Sequence, residues 1–242
     1  MRVIINGAGG RMGKALTAMI EKSPDIQIAG LVDAFVQGQG MVATLGQCAQ
    51  ADCIIDFSNH AGTKELMDYA VEKKLPVVVC TTGHTDEELR YISAAAEKVA
   101  VFHSGNMSVG IALLTRLAKQ TAAMFPDADI EIVESHHNQK LDVPSGTALM
   151  LAKAVKEARP ESEFLVGRHE NGKRKKQEVG IHSLRMGNTV GIHEVIVNTG
   201  TQIITLKHEA QDRSLFAEGA LTAAAFLTLQ SAGLYDMKDL VK

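Results

Sequence analysis

Val3-Ile4-Ile5-Asn6-Gly7-Ala8-Gly9-Gly10-Arg11-Met12-Gly13, near the start of the chain, is the stretch that decides the fold. The apolar triplet reads as a buried strand, and the residues from Arg11 to Lys22 read as a helix. Between them, Gly7, Gly10 and Gly13 form a three-residue-spaced variant of the dinucleotide fingerprint. Its glycines permit a tight turn, close approach of a pyrophosphate and close helix packing. Asp33 follows Gly13 by twenty positions, where an acidic residue can accept hydrogen bonds from the adenosine ribose hydroxyls. Arg11 and Lys14 lie close by in sequence and could offset that charge, so strict NAD specificity does not follow. NADH is expected to serve at least as well as NADPH.

Outward from this turn, strand and helix patterns alternate. Strands are predicted at Val3–Ile5, Ile26–Val32, Cys53–Asp56, Val77–Cys80 and Val99–Phe102. Helices are predicted at Arg11–Lys22, Gly62–Lys73 and Asp86–Lys98. Such alternation gives a parallel sheet covered on both faces, with ligands beyond the carboxyl ends of its strands. Two more strand ends then belong to the same site: Cys80-Thr81-Thr82-Gly83 and Ser104-Gly105-Asn106-Met107-Ser108, whose hydroxyl, amide and backbone groups suit a carboxamide. The bland alternative is that both are polar turns capping the helices that follow.

The second half reads differently. A helix is predicted at Val109–Met124, then a strand at Ile130–Glu134, a helix through Ala148–Val155, strand-like runs at Glu178–Leu184, Val190–Thr199 and Gln202–His208, and an Ala-rich helix at Ser214–Ser231. The fold class is therefore α/β: a Rossmann-type parallel-sheet dinucleotide-binding domain over residues 1–107 and 214–242, plus an α+β substrate and oligomerisation domain over 108–213.

The segment from Glu134 to Thr147, Glu-Ser-His-His-Asn-Gln-Lys-Leu-Asp-Val-Pro-Ser-Gly-Thr, holds more chemistry than a connection needs. Histidine and lysine are the side chains most readily poised to move protons near neutral pH. Ser145-Gly146-Thr147 opens a helix, where unpaired N–H groups and the helix dipole hold an anion. A Ser or Thr there is more often only a cap, but the whole cluster predicts a small acidic substrate beside a proton donor. Zinc is not expected, since adjacent histidines in an extended segment point apart and no spacing completes a tetrahedral set.

Composition narrows the field. The chain has 242 residues, 45% hydrophobic and 22% charged, with a net charge of -3. That charge argues against nucleic acid as the main partner. The one basic run, Lys173-Arg174-Lys175-Lys176, reads as a solvated hairpin tip after Asn171-Gly172. No apolar stretch suits a bilayer, and the first residues lack a signal-peptide layout. Three cysteines without paired spacing suggest reduced thiols and a cytoplasmic location.

Taken together, the glycine-rich turn, Thr81-Thr82-Gly83, Asn106 with Ser108-Val109-Gly110, the His-His-x-x-Lys-x-Asp-x-Pro-Ser-Gly-Thr signature and Leu234-Tyr235-Asp236-Met237 closely resemble the dihydrodipicolinate reductase (4-hydroxy-tetrahydrodipicolinate reductase) family. The resemblance runs over nearly the whole chain. It implies reduction of a cyclic dicarboxylate by NADH or NADPH in lysine and diaminopimelate biosynthesis, in a homotetramer with an interdomain cleft. By the same resemblance His136 and Lys140 fall at the proton-handling positions, and His137, Gly146 and Thr147 at substrate-binding ones; Ser145, at the helix start, would join Gly146 and Thr147 in gripping one carboxylate. Arg213 would help neutralise the substrate's charge, although Asp212-Arg213 also suits a cap and salt-bridge pair. Cofactor contacts fall to Gly7, Ala8, Gly9, Gly10, Arg11, Met12, Asp33, Ala34, Cys80, Thr81, Thr82, Ser104, Gly105, Asn106 and Met107. Many members carry glycine at the position of Cys80 and phenylalanine at those of His84 and Met107; some have an acidic–arginine pair near Ala34-Phe35. The absent arginine weakens the case for NADPH preference. Two competing readings are a related dehydrogenase acting on aspartate or homoserine, and a redox-sensing protein that binds NADH without turnover.

Overall fold

The structure, a computed structural model, describes residues 1–36, 38 and 40–241. It folds into two compact units, one of Met1–Ser108 with Ser214–Leu240, the other of Val109–Arg213 with Val241. Lys242, the last residue of the expected first domain, lies outside the described residues.

The first unit is built on a seven-stranded parallel sheet of β1 (Arg2–Asn6), β2 (Gln27–Val32), β3 (Met41–Val42), β4 (Cys53–Asp56), β5 (Val77–Val79), β6 (Ala100–His103) and β12 (Gly233–Tyr235). In space the order is β12-β6-β5-β4-β1-β2-β3. Continuous apolar runs make these strands: Val3, Ile4, Ile5, Ile54, Ile55 and Val77 to Val79 are all fully buried, as a sheet covered on both faces requires. Helices α1 (Arg11–Ile20), α2 (Thr63–Lys73), α3 (Asp86–Ala96), α6 (Ser214–Leu227) and α7 (Met237–Leu240) complete the unit. The chain leaves β1 for β2 on one side and reaches β4 on the other, so the strand order reverses beside β1. That reversal is where an open sheet of this kind forms its crevice.

The second unit has a five-stranded mixed sheet: β7 (Asp129–His136), β8 (Glu163–Val166), β9 (Glu178–Arg185), β10 (Gly191–Asn198) and β11 (Ile203–Ala210), ordered β11-β10-β7-β9-β8. Helices α4 (Val109–Met124) and α5 (Gly146–Ala158) cover one face. Ile111, Leu114, Ile130, Ile132, Leu151, Val155, Val179, Ile181, Val195 and Val197 form that core.

The structure corrects several expectations. Strands β3, β8 and β12 were not foreseen: two or three residues, or a largely exposed edge, carry too little pattern. The predicted end of the last helix at Ser231 moves back to Leu227, and its continuation turns into β12. The basic run is no hairpin tip, because β8 and β9 run parallel and residues 167–177 form a crossover. Within it, Arg174 lies near Asp129, at 3.2 Å, and Glu131, and donates to the carbonyls of Ile130 and Glu178. Thr81 and Thr82 do not cap the next helix; Thr85 does, in a reciprocal box with Glu88.

Candidate functional site

In the first unit the glycine-rich turn packs so tightly that side chains are excluded. Gly7 has φ +80°, and a Cβ there would come within 2.5 Å of the Phe57 carbonyl oxygen. A Cβ on Gly13 would collide with the carbonyl of Gly7 and the backbone of Ala8. Gly10 sits at the N-cap of α1, so no cap side chain bonds the N–H groups of the first turn. Asp33 accepts from the N–H groups of Gly9, Phe35 and Val36, each at 3.0 Å. Burial pushes its carboxyl up, but those three donors and the charge of Lys14 outweigh it, leaving the group below its ordinary pKa and ionised.

A cavity of about 670 Å³ opens here, lined by Asn6, Gly7, Gly10, Asp33, Ala34 and Ser58 among others. Arg11 is exposed and Met12 half-buried beside it. Beneath lies Asp56, only 2% exposed, a residue to which sequence reasoning gave no role. It accepts from Asn6 Nδ2 at 2.8 Å, Ser58 Oγ at 2.6 Å and Thr81 Oγ1 at 2.6 Å, tying together the ends of β1, β4 and β5. Burial raises its pKa against those bonds.

The other two expected strand ends meet each other: a Cβ on Gly105 would stand 3.8 Å from Thr82 Cγ2. Thr82 and Gly105 are exposed, whereas Cys80 and Met107 are buried. Ser104 Oγ donates to the Asn106 carbonyl, and the Asn106 side chain accepts from Ser108 N–H, so this loop is internally braced. His84 stands edge-on to both His60 and His103, at centroid distances of 6.3 and 5.2 Å.

In the second unit the signature collects at the carboxyl end of β7. That strand extends past Glu134 to His136, so Glu134 and His136, two residues apart, share one face. Register brings His193 on β10 opposite Glu134 and Arg185 on β9 opposite His136. Glu134 is fully buried. It accepts from His136 Nδ1 at 2.5 Å, from Arg185 Nη1 and Nη2 at 2.9 and 2.8 Å, and from Ser145 N–H at 3.1 Å. Burial alone would raise its pKa, but the Arg185, His136 and Ser145 bonds reverse this and hold it at about 2. His136 is pushed down by burial, partly restored by Glu134, and lowered again by Lys140 and Arg185.

Ser145 is the N-cap of α5; its hydroxyl accepts from Ala148 N–H and lies 3.2 Å from His193 Nε2. His193 Nδ1 is buried without a hydrogen-bond partner among the described residues. An orphaned donor being costlier than an orphaned acceptor, the proton belongs on Nε2, which then donates to Ser145. Burial, and then His136, lower His193 to about 4, so it is neutral near pH 7. The two imidazoles meet edge to face at 5.1 Å.

Lys140 pairs with Asp142 at 2.8 Å and is mostly shielded. His137 is half-buried; Gly146 and Thr147 form the first turn of α5. Arg213 is exposed at the end of this unit, and no ion pair among the described residues ties it to the cluster. Sequence reasoning gave no role to Glu134, Arg185 or His193. A Glu-x-His pair at a strand end was a readable signal for the first; the other two needed the strand order. No group of His, Cys, Asp or Glu among the described residues is arranged to hold a metal ion. No helix among them is long and apolar enough to cross a membrane.

Comparison with known proteins yields two adjoining family matches: dihydrodipicolinate reductase, N-terminus, over residues 1–107, and dihydrodipicolinate reductase, C-terminus, over residues 110–241. A 4-hydroxy-tetrahydrodipicolinate reductase from Caldanaerobacter subterraneus subsp. tengcongensis is 42% identical, covering 100% of this chain and 98% of its own. One of the same name from Clostridium novyi is 40% identical with the same coverage. A solved structure, dipicolinate-bound dihydrodipicolinate reductase from Paenisporosarcina sp. TG-14, superposes with a TM-score of 0.84 at 25% identity, covering 99% of each chain. An amine dehydrogenase from Mycobacterium smegmatis, at 11% identity and a TM-score of 0.64 with 98% of this chain and 95% of its own covered, shares the fold alone.

Proposed function

The chain belongs to the dihydrodipicolinate reductase family, an oxidoreductase family, and on that premise we propose that it reduces 4-hydroxy-tetrahydrodipicolinate to tetrahydrodipicolinate, with His136 and Lys140 handling the proton. Overall the reaction consumes one hydride and one proton and releases water from the hydroxylated ring. The observation that carries the reading is the 2.5 Å contact of His136 with a fully buried, ionised Glu134, beside the opening of α5.

A Rossmann-type unit in this family implies use of NAD(P)H, and the residues fit one. The uncapped start of α1, the side-chain-free turn at Gly7 and Gly13 and the anionic Asp33 offer what a dinucleotide's pyrophosphate and ribose require. Gly7, Ala8, Gly9, Gly10, Arg11 and Met12 would hold the pyrophosphate, Asp33 and Ala34 the ribose, and Cys80 to Thr82 with Ser104 to Met107 the carboxamide end. When bound, NADH or NADPH supplies the hydride.

The remaining work falls to the chain's own side chains. His136, hydrogen-bonded through Nδ1, presents its other nitrogen to accept or return a proton. Lys140 supplies a second acidic group on the same loop, held by Asp142. The N–H groups that open α5, at its positive end, would hold a substrate carboxylate, Gly146 exchanging the Asp142 carboxylate for it. Ser145 already accepts from Ala148 and His193, so its own hydroxyl proton is directed to that anion. His137 and Arg213 add positive charge for the second carboxylate. A homotetramer in the cytoplasm is the expected setting.

His136→Gln and Lys140→Ala should each lower kcat by about two to four orders of magnitude, the usual worth of general acid–base catalysis. Cofactor affinity, read by fluorescence titration, should barely change. Turnover near that of the unaltered protein in both variants would remove the acid chemistry.

A further inference from the structure

We propose that Glu134, clamped by Arg185, is a positioning residue that fixes His136 as the tautomer with its proton on Nδ1, and that Gly191 keeps the opposite nitrogen, Nε2, open as the atom that exchanges protons. The inference rests on the reading of His136 as a proton-handling residue, says what Glu134 does to it, and gives a role to Arg185 and Gly191, which that reading leaves idle.

A carboxylate offers about four lone-pair sites, and those of Glu134 are filled. Oε1 accepts from Arg185 Nη2 at 2.8 Å and Ser145 N–H at 3.1 Å; Oε2 accepts from Arg185 Nη1 at 2.9 Å and His136 Nδ1 at 2.5 Å. The group cannot turn without breaking a charge-assisted pair. An ionised carboxylate only accepts, so Nδ1 must be the N–H, and the neutral ring carries its lone pair on Nε2. At that nitrogen stands Gly191 on β10: a Cβ there would lie 3.1 Å from Nε2 and 3.5 Å from Cδ2. Any side chain at position 191 would crowd the edge of the ring that the reaction uses.

Arg185 does one thing more. Its Nη2 also donates to the Asp142 carbonyl at 2.7 Å, and Asp142 pairs with Lys140 at 2.8 Å. One guanidinium therefore braces both the orienting carboxylate and the loop that carries the second acidic group. The charged or titratable groups facing His136 are Glu134 from β7, Arg185 from β9, His193 from β10 and Lys140 from the loop. Only Glu134 among them favours the protonated ring.

The test is nitrogen-15 NMR of the histidine rings, with His136→Gln used to assign the resonance. In the unaltered protein, neutral His136 should carry its proton on Nδ1. In Glu134→Gln the ring should lose that fixed tautomer and titrate at lower pH, moving the corresponding limb of the kcat/KM profile with it. Its kcat should fall at least tenfold, a part of the ~10²–10⁴ that such catalysis contributes. Gly191→Ala should lower kcat while leaving the tautomer unchanged. A proton on Nε2 in the unaltered protein overturns the proposal without any variant having to fold, as does an unchanged tautomer and titration in Glu134→Gln. Should His136→Gln stay active while the Nδ1 proton is found, the catalytic reading fails and the role of Nε2 and Gly191 with it, while the positioning of the ring by Glu134 stands.

Discussion

His193 carries the plainest pH signature of any single residue. Burial at 4% exposure, and then His136, take its pKa from 6.5 to about 4. The unfolded chain therefore binds this proton more readily than the folded one. The associated stability is present above pH 6.5 and is lost as pH falls from 6.5 toward 4. Glu134, depressed from 4.5 to about 2, adds a second loss lower down, as pH falls between those values. Denaturant unfolding at about pH 7 and about pH 5 separates the two: His193→Gln should remove about 2 kcal/mol of the loss between them. Equal losses in both proteins would show that the imidazole is not held neutral. Asp33 makes the corresponding case in the proposed cofactor choice, since its ionised carboxylate, if it meets the adenosine ribose, would favour two hydroxyls over a phosphate.

At the scale of elements, the strand–turn–helix of β1 and α1 is the least forgiving part of the molecule. Gly13→Ala must push α1 off the Gly7 carbonyl, which should cost about 1–3 kcal/mol and weaken NADH binding more than tenfold. Gly46→Ala, with nothing within 4 Å of the new carbon, should leave both thermal midpoint and NADH affinity close to unchanged. Equal behaviour of the two variants would mean that α1 is free to move. This element was legible because its information is local: an apolar run, a glycine spacing, then a helical period. Val109–Met124 was legible for the same reason, and the structure gives those bounds. Strand β8 was not, since Glu163-Phe164-Leu165-Val166 lies at a sheet edge and three of its four residues are exposed. Arg185 and His193 were hidden more deeply. Each lies in an ordinary alternating strand, and only the order β10-β7-β9 places them beside Glu134 and His136.

Over the whole molecule, the chain passes from one compact unit to the other after Ser108, returns after Arg213, and meets the second unit again at Val241. The early residues build a crevice suited to a dinucleotide, and the later ones gather a buried acid–imidazole pair at the mouth of a helix that suits a small dianion. The fold class was readable because the two halves differ in pattern, alternating strand and helix in one and consecutive strands in the other. The glycine turn and the His-His-x-x-Lys segment were readable as motifs, whereas the internal bracing by Asp56, Glu134 and Arg185 arises only when distant strands pair. A binding protein that uses NADH as an effector would share the first unit's features and differ in one respect, turnover. The most direct measurement is therefore NADH absorbance over time after adding 4-hydroxy-tetrahydrodipicolinate freshly generated in the same cuvette, repeated with NADPH. The account predicts steady loss of absorbance in proportion to substrate supplied, with kcat/KM for NADH at least equal to that for NADPH. A constant absorbance with both cofactors would contradict the assigned reduction, and a tenfold or greater preference for NADPH would contradict the role given to Asp33.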